Sequence, residues 1–187
     1  YFYFGWVTPT LLTSQAEMTL LNSTENSDQF YMYESGTPGD FFMIENQQQI
    51  GFDAEVPGHG LLVYHGHILL VFGDINCTHP QLFYPVCANA GTNPSSTPAD
   101  YGVISSMDTP FPGAGNKTEF TDATVPNSKS MAGANTNKDL AYITEDNTAQ
   151  TIDLCFMGCP PVAEAPPSRR SKFALGKRSR FAGGNCP

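Results

Sequence analysis

The run Asp40-Phe41-Phe42-Met43-Ile44-Glu45-Asn46-Gln47-Gln48, then Gly51-Phe52-Asp53, then Val56-Pro57-Gly58-His59-Gly60-Leu61-Leu62-Val63-Tyr64-His65, decides how this chain is read. Two short apolar segments rich in aromatic and β-branched residues flank a turn region bounded by Gly51 and Gly60, which predicts strands over 40–46 and 61–65. Segments of the same kind predict strands over 1–7, 17–21, 29–34, 68–72, 82–86 and 151–157. In Gln29-Phe30-Tyr31-Met32-Tyr33 the aromatics blur the alternation, so that strand is expected to be covered on both faces. The stretch 88–138 differs in kind. Asn, Thr, Ser, Pro and Gly dominate it, predicting long loops pinned by Tyr101, Val103, Ile104, Phe111 and Phe120. The expected fold is all-β: a β-sandwich-like domain with long loops over 1–160, then a Pro-containing linker and an extended C-terminal basic tail over 161–187.

At 187 residues the chain can bury a sizeable core, and 17 Gly with 15 Pro favour turns over long helices. No apolar run approaches the roughly 18 residues of a membrane span. The chain begins at Tyr1 without a signal segment, which predicts a mature piece of something longer. Charge is divided unevenly. All 18 Asp and Glu lie at or before Glu164, with only Lys117, Lys129 and Lys138, so the body stands at −15. Arg169, Arg170, Lys172, Lys177, Arg178 and Arg180 fall within the last 19 residues. An acidic body argues against a nucleic-acid partner. The tail is read either as a solvated charge run or as a tether to an acidic surface on its own or a neighbouring subunit. Arg169-Arg170 and Lys177-Arg178 are also candidate processing sites.

Three sequons, at Asn22, Asn76 and Asn116, accompany five cysteines in a Lys-poor chain. Together they predict an extracellular, secreted protein carrying N-linked glycans. Cys77 with Cys87 could staple a loop worth about 2–3 kcal/mol. Cys155 with Cys159 could bridge a tight turn, leaving Cys186 for a partner outside the chain or for a different pairing.

The quoted run resembles the secreted zinc metallopeptidases of the immune-inhibitor-A type, whose domains carry an "E-Y-F-L-L-E-N-R-Q" strand, a "G-W/F-D" turn and "L-P-G-x-G-L-L-I-W-H". Gly5-Trp6-Val7-Thr8-Pro9, Asp108-Thr109-Pro110-Phe111-Pro112-Gly113, Thr118-Glu119-Phe120-Thr121-Asp122 and Pro126-Asn127-Ser128 resemble further elements of that family. The similarity runs through roughly residues 5–157 in order. It implies the C-terminal portion of the peptidase region, because no His-Glu-x-x-His occurs in the chain. Gln47 stands where the family has Arg, Tyr64 where it has Trp, and His67 where it has Asp, so the scaffold is expected to persist with altered polar contacts.

His65 and His67 share a face if 61–67 is extended, so both imidazoles could reach one metal, with His79 or His59 as a third ligand. Ordinary hydrogen-bonded strand histidines are the competing reading. Calcium could draw on Asp100, Asp108, Asp122, Asp139 and Asp146, all read as loop acids, although none forms an Asp-x-Asp-x-Asp-Gly loop. Glu45 and Asp53 could act as paired carboxylates or serve the scaffold. No Gly-x-Ser-x-Gly is present, and no catalytic residue is assigned. The expectation is a non-catalytic structural module that assembles with copies of itself or another extracellular chain, in a matrix, filament or surface layer. The alternative is an accessory C-terminal part of a zinc metallopeptidase whose catalytic part lies upstream.

Overall fold

The two segments singled out first form a pair of eight-residue antiparallel strands, Asp40–Gln47 and Gly60–His67, in the computed structural model. The structure describes residues 7–26, 28–67, 76–77, 79–94 and 100–159. The strand expected at 68–72, the basic tail, and all but Val7 of the strand expected at 1–7 lie outside these residues.

The described strands in chain order are β1 (Thr10–Leu11), β2 (Ala16–Leu20), β3 (Phe30–Glu34), β4 (Asp40–Gln47), β5 (Gly60–His67), β6 (Phe83–Pro85), β7 (Leu140–Asp146) and β8 (Thr151–Phe156). They make two sheets, one ordered β1-β3-β4-β5-β6 and the other β2-β8-β7. All neighbours are antiparallel except β1 and β3. The only helical element among the described residues is one 3-10 turn, Gly51–Asp53. The fold is therefore all-β and sandwich-like.

The pleat explains the core. On β4 and β5, Phe42, Ile44, Leu61 and Val63 fall on one face and are buried. Leu20 of β2, Ile143 of β7 and Ile152, Leu154 and Phe156 of β8 meet them from the second sheet. Aromatic contacts tie the layers: the ring of Tyr33 lies 5.2 Å from Phe42 and 5.1 Å from Phe156. Each fully buried side chain of this kind contributes about 1.5–3 kcal/mol. The outer face of β4 and β5 is also covered, since Met43, Glu45 and Leu62 are buried there. On β3, Phe30 and Tyr33 are buried while Tyr31 and Met32 are half-buried, close to the expectation of two covered faces.

The long stretch 88–138 is loop, as its composition predicts, but its anchors sort differently. Phe111 exchanges two backbone hydrogen bonds with Leu61, and Phe120 two with Leu140, so both rings are drawn into the core. Tyr101 packs half-buried against it. Val103 and Ile104 are not anchors: they are 59% and 60% exposed. Gly60 illustrates why the loop can come so close. Its φ is +131°, and a Cβ there would strike the carbonyl oxygen of Phe111.

β1 and β7 are additions to the predicted strands. In β7 the buried residues Leu140 and Ile143 are three apart, because a bulge between Ala141 and Thr144 places Tyr142 at φ +54°. The bulge breaks the period of two by which strands are recognised in sequence.

Candidate functional site

β4, β5 and β6 bring three polar side chains together inside the core. His65 lies between Asp40 (Nε2 to Oδ1, 2.8 Å) and Tyr84 (Nδ1 to hydroxyl, 2.8 Å), and all three residues are at most 3% exposed. A carboxylate only accepts, so Nε2–H donates to Asp40 and Nδ1 accepts the Tyr84 proton. The other oxygen of Asp40 accepts the backbone N–H of Met131 (2.7 Å), and Phe42 stacks on the imidazole at 4.1 Å. The order acid–imidazole–hydroxyl is that of a nucleophilic relay. Here the hydroxyl is sealed from solvent. Burial, then the neighbouring Tyr101 and Asp40, push the Tyr84 phenol well above its usual range, so it keeps its proton. The relay is a brace for the sheet.

This arrangement places the two histidines put forward as metal ligands differently. Both ring nitrogens of His65 are already engaged. His67 sits two residues on at the strand end, half-buried. Among the described residues, no three His, Cys, Asp or Glu side chains come together as a group that could hold a metal.

A second network stitches the sheets at the other end of β4. Asn46 donates to the carbonyls of Leu20 and Gln150, both at 2.9 Å, and accepts from Gln48 Nε2 at 2.8 Å. Gln48 Nε2 also donates to Glu145 Oε1 (2.9 Å), which His59 Nδ1 approaches at 2.7 Å. Tyr84, Asn46, Gln48 and Glu145 were not picked out from sequence. The signal available was the polar run Asn46-Gln47-Gln48 at the end of an otherwise apolar strand.

The loop acids put forward for calcium serve as turn braces. Burial raises the Asp122 carboxyl, but backbone N–H groups of Thr136 and Asn137 and hydroxyls of Ser128 and Thr136 outweigh it and hold the carboxyl below the usual range. Asp100 accepts from the N–H groups of Gly102 and Gly91, and Asp146 from those of Ala149 and Thr148, which lowers both. Asp108 accepts from Ala114 (2.8 Å), and Asp139 lies 3.4 Å from the Asp122 N–H. Glu45 and Asp53 each have a hydroxyl donor of their own. Tyr64 donates to Glu45 at 2.9 Å and Thr24 to Asp53. Burial raises the Glu45 carboxyl against the pull of its Ser23 and Tyr64 hydrogen bonds, and the Asp53 charge adds to the rise.

Cys155 and Cys159 are bonded, with Cα atoms 5.1 Å apart. The proposed staple is absent: exposed Cys77 and buried Cys87 are not joined, and burial pushes the Cys87 thiol up to about 11. Cys186 lies outside the described residues. Of the sequon asparagines, Asn22 is buried, its Oδ1 accepting the Glu25 N–H at 2.9 Å. Asn76 is exposed and exchanges hydrogen bonds with the Phe83 backbone. Asn116 is exposed in a turn at φ +48°.

On the outer face of β4 and β5, the loops 48–59 and 103–113 enclose a cleft of about 250 Å³. Leu62, Tyr64 and Pro85 line it together with Val56, Ile104 and Pro110. Phe52 at 104%, Ile104 at 60% and Met107 at 70% stand exposed on the same two loops. Asp53 and Glu55 on one loop and Asp108 on the other add negative charge, and neither loop contains a lysine or arginine. Among the described residues, no helix is long and apolar enough to cross a membrane. Protein-family models, curated proteins and solved structures yield no match to this chain.

Proposed function

We propose that the chain is a non-catalytic, extracellular, N-glycosylated β-module, related in design to the portion of the immune-inhibitor-A-type peptidases beyond their zinc helix. Its role is assembly, with copies of itself or with another extracellular chain. The observation that carries this reading is the disposition of its chemistry. His65, Asp40, Asp122 and Glu145, the groups a catalyst or metal site would use, are engaged in internal hydrogen bonds, while Phe52, Ile104 and Met107 stand exposed on the two loops that wall one cleft. Exposed apolar clusters rimmed by polar groups are typical of protein-binding surfaces. The acidic body and basic tail supply complementary charge for association.

Native mass spectrometry with light scattering, on material from the natural source, tests the proposal. A homogeneous polymer of this chain carrying glycan mass is the expected result. A glycan-free monomer overturns it. A longer polypeptide carrying zinc replaces it with the accessory-domain reading.

A further inference from the structure

We infer that the cleft between loops 48–59 and 103–113 is the seat of the basic segment 168–181 of a second copy of this chain. The inference rests on the assembly reading above and names the surface through which assembly occurs.

Two properties of the cleft must be met by one ligand. Its wall and floor are apolar, through Val56, Leu62, Ile104 and Pro110. The two loops that wall it carry Asp53, Glu55 and Asp108, the last two next in sequence to the lining residues Val56 and Thr109, and neither loop has a lysine or arginine. The segment 168–181 reads Ser-Arg-Arg-Ser-Lys-Phe-Ala-Leu-Gly-Lys-Arg-Ser-Arg-Phe. It holds all six bases of the tail, no acid, and Phe173, Leu175 and Phe181 set among the bases. A Phe or Leu side chain fits the apolar recess while flanking arginines and lysines meet the carboxylates.

A second acidic surface exists and fits less well. Glu17 of β2 and Asp153 of β8 are exposed on the three-stranded sheet, beside exposed Thr19 and Thr144. Charge would draw the segment there, and Tyr142 of β7 is exposed on the same sheet, but the side chains around Glu17 and Asp153 are otherwise polar and offer Phe173 and Leu175 one ring in place of an apolar recess. The cleft satisfies both halves of the segment. Geometry then favours a neighbour. The described chain ends at Cys159, just past β8 on the three-stranded sheet, whereas the cleft lies on the outer face of the other sheet. A contact of one surface with a different surface on the next copy is heterologous, and it propagates into rings or filaments.

Equal amounts of full-length chain with natural and heavy nitrogen are mixed and joined with a zero-length carbodiimide, then digested for mass spectrometry. The expected links run from Lys172 or Lys177 to Asp53, Glu55 or Asp108, in mixed-isotope pairs. Their yield should fall several-fold in Ile104→Lys, whose side chain is exposed and outside the core, and in about 1 M salt, where charges are screened beyond ~3 Å. Thr19→Lys on the three-stranded sheet should leave the yield unchanged. Links confined to Glu17 or Asp153, or to same-isotope pairs, overturn the assignment. Sedimentation of the full-length chain with its six tail bases changed to Ser separates the two failures. Loss of assembly there with links elsewhere removes the cleft but keeps the assembly reading; undiminished assembly removes both.

Discussion

The two faces of the β4–β5 pair put similar residue types to opposite uses. On the inner face, Asp40, His65 and Tyr84 satisfy one another in a sealed core. On the outer face, the loops that wall an open cleft carry Asp53, Glu55 and Asp108 together with the exposed Ile104 and Met107. The difference teaches that a suggestive list of titratable residues says little until their bonds are counted. The inner cluster has the composition of an active site and the wiring of a brace. The outer one has no catalytic composition, and its large apolar side chains stand open to solvent.

The strongest way to break this comparison is to open the inner relay. Asp40→Ala leaves His65 Nε2 and the Met131 N–H without their acceptor, and is expected to cost about 3–5 kcal/mol in urea unfolding. A loss within experimental error would mean that the relay is not a brace. Glu45 tests the boundary between the faces. Its folded-state pKa lies above the ordinary 4.5, so the protonated form carries no penalty below that value, and the penalty grows as pH rises through the folded value. Glu45→Gln keeps an acceptor for Tyr64 and should stabilise the protein at pH 7 by about 1 kcal/mol. That gain should shrink toward pH 4, a trend readable from melting temperature against pH. The smallest effect belongs to the cleft. Ile104→Ser with Met107→Ser should change stability by no more than about 0.5 kcal/mol per site while lowering the assembled fraction in light scattering. A large stability loss would make the cleft part of the core.

Strands were legible where the period of two survived. The residues 40–46 and 61–65 lie within β4 and β5, and 151–157 differs from β8 by one residue. β7 escaped because its bulge spaces the buried Leu140 and Ile143 by three residues. The anchors Phe111 and Phe120 were readable as large apolar side chains in a polar stretch. Val103 and Ile104 carried the same signal and ended exposed, since composition cannot say which side of a loop meets the core. The site was less legible than the fold. His65 stood out, but its partners Asp40 and Tyr84 lie 25 and 19 residues away and meet it only through strand pairing.

The amino-acid sequence by itself determined the all-β class, the loop character of 88–138 and the split between acidic body and basic tail. Each of these follows from local composition and short-range periodicity. Only the tertiary structure decided that His65 braces the core, that Cys77 and Cys87 stay apart, and that an apolar cleft opens between the loops 48–59 and 103–113. Those outcomes depend on which distant strands and loops come into register, and on whether a polar group finds its partner inside the protein or in water.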